Sequence, residues 1–265
     1  MDNTISMAGW PPIEKVDLVR PLETPYGVEA RIGLIALSTD LAIERDFARM
    51  LPDDRAALFT TRIHLETPNS DRTFLALQDD LVAATRLIIP DSRLDAVVFG
   101  CTAASTIIGP DRVAALVGQA RPGVPVTNPA TAATAALQTL GARRVAVLTP
   151  YTRQMTGNVL RFLGDAGFHF ASVRCLGFDT DVAIGSIPAL AFLDLAQGKQ
   201  LDGADALFIS CTATKALDVI DAIEAAIGVP VITSNQAAFW HALRPVGWKH
   251  PIPGFGALLR EGFRS

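Results

Sequence analysis

AVVFGCTAA at residues 96–104 and ALFISCTAT at residues 206–214 share one pattern, an apolar run of strand length that ends in Cys-Thr-Ala. Neither run alternates polar with apolar residues, so each reads as a strand covered on both faces, as in a parallel sheet flanked by crossover helices. The match extends upstream. RIGLIAL from Arg31 pairs with RVAVLTP from Arg144, and Arg31 precedes Cys101 by 70 residues while Arg144 precedes Cys211 by 67. Downstream, Gly123-Val124-Pro125-Val126 and Gly228-Val229-Pro230-Val231 lead through Asn128 and Asn235 into Ala-rich helical stretches. The chain is therefore a duplicated α/β unit. Lobe 1 is expected over residues 31–141 and lobe 2 over 142–265, with the closing helices exchanged between lobes.

Within the first unit, strands are predicted at Arg31–Leu37, Leu58–Ile63, Ala96–Phe99 and Val124–Thr127, and helices near Ala42–Met50, Arg72–Ile88 and Arg112–Val117. Residues 1–30 read differently. Trp10-Pro11-Pro12, Pro21 and Pro25-Tyr26-Gly27 punctuate them as an extended arm, expected to wrap over the body or a neighbouring subunit.

Among 265 residues, 49% are hydrophobic and the net charge is −4, values that suit one large or two small globular domains with ample core. With no basic cluster, nucleic acid and anionic membranes are disfavoured as partners. No run reaches the roughly 18 apolar residues of a membrane-spanning helix, and no secretory signal opens the chain, so a cytoplasmic location is expected. Three cysteines without a CxxC pair imply free thiols rather than a disulfide framework or zinc site. His64, His169, His241 and His250 show no metal-ligand spacing, and no metal is expected.

In an open α/β sheet, ligands bind beyond the carboxyl ends of the strands. Both Cys101 and Cys211 fall there, and two lobes facing each other would bring one sulfur to each side of a small carboxylate substrate. A helix starting after each cysteine is expected to favour the thiolate. One thiolate and one thiol can remove a proton beside a carboxylate from one face and return one to the other. A thiolate can equally add to a double bond, permit rotation and leave. Thr102, Ala103, Thr212 and Ala213 would cradle the carboxylate with small side chains and backbone amides. Ser38-Thr39-Asp40 and Thr149–Thr152 would enter the same cleft, and Asn128 and Asn235 would position the substrate or stabilise developing charge. The bland alternatives are packing for Cys175, helix capping for Asp40 and both asparagines, and a solvated face for Asp218, Asp221 and Glu224.

GCTAAS at 100–105, SCTAT at 210–214 and GARRVAVLTPYT at 141–152 resemble the aspartate/glutamate racemase superfamily in its maleate isomerase-like branch. That resemblance implies two pseudo-symmetric Rossmann-like lobes, an active site in the cleft between them and no cofactor. It places the nucleophilic or basic cysteine on Cys101, its partner on Cys211 and a substrate-binding tyrosine on Tyr151. Two substrate-binding asparagines of maleate isomerases align with Asp40 and Asp181. An ionised aspartate only accepts hydrogen bonds and repels a dicarboxylate, so a substrate with an amino or amide donor fits better; alternatively, a protonated Asp40 would help to tune a thiol. LSTDLAIERDF from Leu37 and GFGALLR from Gly254 look similar to ectoine-utilisation proteins, which implies a racemase of a diaminobutyrate derivative such as N-acetyl-diaminobutyrate. The resemblance and the arm also imply a homo-oligomer. A maleate-type cis/trans isomerase and a two-lobed small-molecule binding protein stand as alternatives.

Overall fold

The computed structural model describes residues 11, 13, 15–20, 26–198 and 201–263. Most of the expected N-terminal arm, including Trp10, Pro12, Pro21 and Pro25, lies outside the described residues.

The first half runs β1 (Ala30–Leu37), α1 (Ile43–Met50), β2 (Ala56–Ile63), α2 (Asp71–Arg86), β3 (Ala96–Gly100), α3 (Thr102–Ile108), α4 (Pro110–Ala120), β4 (Val126–Thr127) and α5 (Pro129–Thr139). The second runs β5 (Arg144–Tyr151), α6 (Arg153–Asp165), β6 (His169–Phe178), α7 (Asp181–Gly185), α8 (Ala189–Leu195), β7 (Ala206–Ile209), a 3-10 turn (Ala216–Val219), α9 (Ile220–Ile227), β8 (Val231–Thr233), α10 (Ser234–Leu243) and α11 (Gly256–Glu261). Each half carries a four-stranded sheet, ordered β2-β1-β3-β4 and β6-β5-β7-β8, and every strand pair is parallel. The α/β fold of two equivalent parallel-sheet lobes follows from the duplicated pattern.

Strand character tracks position. β3 is buried at all five residues and β5 at all but its first, which explains why their sequences are unbroken apolar runs. The edge strand β2 mixes buried, half-buried and exposed residues, and reads as AALFTTRI. Gly100 ends β3 because nothing larger fits: a Cβ there would lie 2.8 Å from Ile43 Cδ1 and 3.0 Å from the Ile35 carbonyl oxygen.

In each sheet the chain leaves the central strand for one neighbour and then crosses to the other. The reversal falls between β1 and β3 in one lobe and between β5 and β7 in the other, so a crevice opens beyond their carboxyl ends. The closing helices lock the halves together. α10 packs on α5 and also on α1, β1 and β3 of the first half, while α5 packs on α3, α6 and β8. Phe47 of α1 meets Phe239 of α10 edge to face, centroids 5.3 Å apart. Buried side chains from both halves form one continuous core.

Two carboxylates expected on a wet helix face are structural. Glu224 accepts the amides of Val231 and Ala257, and Asp221 accepts that of Gly256, so α9 anchors the closing segment. Among the described residues, no helix is long and apolar enough to cross a membrane.

Asp46 of α1 is 1% exposed and accepts a 2.8 Å bond from the Asn235 amide of α10. Burial raises its pKa from 3.8 to about 7. The unfolded chain therefore loses this proton first as pH rises, and stability present below about pH 4 is lost as pH climbs to about 7. Asp46→Asn keeps an acceptor for Asn235 without the buried charge. Urea unfolding from pH 4 to 8 should show wild type falling relative to this variant by up to ~4 kcal/mol; parallel curves would refute the assignment.

Candidate active site

Cys101 follows β3 directly and serves as N-cap of α3, its sulfur accepting the Ala104 amide at 3.4 Å. Cys211 follows β7 by one residue, but no α-helix follows it. The chain turns instead, and Cys211 holds φ 101°, a conformation unusual for any residue with a side chain. Neighbours impose it: the Cys211 amide donates to Ser234 Oγ at 3.0 Å, and its carbonyl accepts the Thr214 hydroxyl at 3.2 Å. Ser234 Oγ also accepts the Thr102 hydroxyl at 2.8 Å. One serine of α10 thus ties the Cys101 turn to the Cys211 turn across the lobe boundary.

Both sulfurs are nearly inaccessible, at 5% and 4% exposure, as is Tyr151 at the end of β5. Tyr151 lies beside Cys211 and Ser210 and close to Cys101. Asp40 is 1% exposed: its Oδ1 accepts the amides of Ala42 and Ile43 at 2.8 and 2.9 Å, and the Thr212 hydroxyl lies next to it. Asp181, in the first turn of α7, receives the Thr39 hydroxyl at 2.5 Å and the Asn69 amide at 3.0 Å, both from the other lobe.

The expected acidification of the thiols does not occur. Burial pushes both above their ordinary range, and the nearby charges of Asp181 and Asp40 push further, outweighing the amides of Ala104 at Cys101 and Ala213 at Cys211. Desolvation outweighs the local helix effect at Cys101, and at Cys211 the helix itself is missing. Burial raises Tyr151 and Asp40 as well. At rest the thiols and phenol are desolvated by burial and protonated.

The structure gathers Cys101, Cys211, Thr39, Asp40, Tyr151, Asp181 and Thr212 around this cleft. Other expected residues are committed to scaffolding. Thr102 is bonded to Ser234, and the amides of Ala103 and Ala213 turn to their own cysteine sulfurs. Exposed Ser38 accepts the Leu65 amide, and Asn128 caps α5 by accepting the Ala130 and Thr131 amides. Sequence reasoning missed Asn69, Ser210, Ser234 and Asp46. Ser210 and Ser234 were within reach, since each stands next to a repeat residue already singled out. Asn69 and Asp46 reach the site only through tertiary packing.

Four buried side-chain atoms among the described residues lack a hydrogen-bond partner: Asp40 Oδ2, Asn69 Oδ1, Ser210 Oγ and Asn235 Oδ1. All belong to the cleft or bond directly to a residue that lines it. Unpaired buried polar groups are costly, and these four cluster around the residues beside the thiols.

Two parallel-sheet lobes closed over a pair of thiols define a two-lobed cysteine enzyme. The family model described as arylmalonate decarboxylase (Amdase) matches residues 47–259, and the chain belongs to that family. It is 28% identical over 244 residues to a maleate isomerase of Nocardia farcinica, covering 87% of this chain and 96% of the relative. It is 32% identical over 142 residues to an arylmalonate decarboxylase of Bordetella bronchiseptica, covering 52% of this chain and 59% of that one. The solved Nocardia farcinica maleate cis-trans isomerase, a cysteine-to-serine mutant holding a covalently bound succinylcysteine intermediate, superposes with a TM-score of 0.80 at 26% identity, covering 88% of this chain and 98% of that chain.

Backbone strain at Cys211 is directly measurable. Glycine adopts positive φ freely whereas alanine does not, so Cys211→Gly should be more stable than Cys211→Ala by about 1 kcal/mol in urea unfolding. Greater stability of the alanine variant would show that the turn carries no strain.

Proposed function

We propose that this protein is a cofactor-independent isomerase, a racemase or epimerase of an amino-acid derivative, in which Cys101 and Cys211 exchange the α-proton. The carrying observation is the placement of two thiols at equivalent strand ends of the two lobes, over one dry cleft, with Tyr151 beside them. Both thiols are protonated at rest, so one must first release its proton to solvent; that thiolate then takes the proton from Cα, and the opposite thiol delivers its own to the other face. The two sulfurs thereby trade states, and no external acid or base is consumed. Tyr151 is placed to donate to a thiolate at Cys211. Ectoine-degradation intermediates such as N-acetyl-diaminobutyrate are the substrates indicated by the resemblance of the segments beginning at Leu37 and Gly254.

A second reading is a maleate-type cis/trans isomerase in which Cys101 adds to the alkene. The relative with a succinylcysteine intermediate favours it. Electrostatics weigh against it. Asp40 and Asp181 lie beside the thiols, and a dianion brought there would push Asp40, already raised by burial, further towards its protonated form, an opposition that an amine-bearing substrate does not meet.

Proton NMR in D₂O with N-acetyl-diaminobutyrate, aspartate, glutamate and maleate separates the two. The racemase reading expects Cα–H exchange with an amino compound, reduced at least ~100-fold by Cys101→Ser and by Cys211→Ser. A Cys211→Ser variant that exchanges at full rate removes the two-thiol mechanism. Fumarate formed from maleate, with a succinyl adduct on Cys101 by mass spectrometry, establishes the second reading instead.

A further inference from the structure

The mechanism uses the thiols and the phenol but leaves one wall of the cleft unexplained. That wall consists of Asp40 from the loop after β1, Asp181 from α7 and Asn69 from the segment before α2. Asp40 and Asp181 are 1% and 5% exposed, and among the described residues no lysine, arginine or histidine forms an ion pair with either. Arg62, which reaches the Asp40 backbone, donates to the carbonyls of Leu37, Ser38 and Asp40 and pairs with Glu44. Buried carboxylates without a cation are rare because each resists removal from water.

The unpartnered atoms on this wall are all acceptors. Asp40 Oδ2 is one. Asn69 Oδ1 is another, and its orientation is fixed because the amide nitrogen of the same side chain donates to Asp181 Oδ1. Exchanging the two would set oxygen against oxygen. Asp181 accepts one bond at each oxygen and keeps lone pairs free. An ammonium group carries three donors and one positive charge, which matches three acceptors, and a cation beside Asp40 would oppose the burial that holds that carboxyl towards its neutral form.

We propose that Asp40, Asp181 and Asn69 form a receptor for a primary ammonium group, so that the substrate class is amino acids carrying at least one free amine. This inference names the substrate of the isomerase proposed above and rests on that reading for its chemistry, although the binding it asserts can be measured alone. A cation seated there would also act on the thiols. It offsets the negative field that now favours their protonated forms, so the ligand itself would promote the thiolate the reaction needs. A dicarboxylate without an amine would do the opposite.

Matched pairs differing only in a free amine provide the test: 2-aminobutyrate and butyrate, aspartate and succinate, 2,4-diaminobutyrate and its diacetyl derivative. Titration calorimetry on the full chain should show the amine-bearing member of at least one pair binding tenfold or more tighter, roughly the effect of one well-placed charge interaction. In Asp40→Asn and Asp181→Asn, which keep the size of each side chain, that ratio should fall towards one while the melting temperature holds. Equal binding within every pair, tighter binding of the amine-free members, no binding by any amine-bearing member, or a ratio unchanged in both variants would each overturn the proposal. The two readings fail separately. Cα–H exchange without amine preference removes the receptor and leaves the racemase, whereas amine preference without exchange on any compound removes the racemase and leaves the receptor.

Discussion

Ser234 accepts two hydrogen bonds that join the halves of this protein at the point where they must agree. One comes from the Thr102 hydroxyl beside Cys101 and the other from the Cys211 amide, so the two cysteine turns are tied together through one oxygen on a buried helix. That oxygen can do this only because α10 leaves its own sheet and inserts against α1, β1 and β3. The apolar face of α10, from Ala237 to Leu243, supplies the burial, and its polar first turn supplies the alignment. Packing and the alignment of the two cysteine turns are thus two ends of one helix.

Dehydration governs the chemistry that such a cleft can perform. Two thiols, a phenol and two carboxylates share a volume closed to solvent, and burial opposes charge on Cys101, Cys211, Tyr151 and Asp40. Burial of this kind holds both sulfurs in the protonated, less nucleophilic form. The four unpaired polar atoms carry a cost of the same kind in hydrogen bonds.

Much of the fold was legible in the sequence because a buried parallel strand has a composition of its own. AVVFG and ALFI announce themselves, and the shared Cys-Thr-Ala places both cysteines at strand ends. Boundaries agreed to within a few residues where caps are strong, as at Ser70 before α2. The conformation after Cys211 was hidden, because Thr212-Ala213-Thr214 resembles Thr102-Ala103-Ala104 in composition yet takes a turn dictated by Ser234 and Thr214. Thiol protonation was hidden for a related reason. A helix N-terminus is a local feature, whereas desolvation is the sum of everything packed around the sulfur. Asn69 and Asp46 belong to the same category, for each depends on a partner more than a hundred residues away.

The halves repeat each other, but the two cysteines do not stand on equal backbones. Cys101 rests in an ordinary capping conformation, while Cys211 is held at φ 101° by its neighbours. For a racemisation this asymmetry meets a strict thermodynamic condition, since mirror-image substrates have equal free energy and the overall equilibrium constant is one. The ratio of kcat to KM must then be identical for the two enantiomers, however different the sulfurs are. Unequal footing of the thiols can appear only as matched changes in turnover and saturation, with one hand bound more tightly and turned over in proportion more slowly. Structural inequality between the lobes would thus set which enantiomer predominates on the enzyme without altering the balance it leaves in solution.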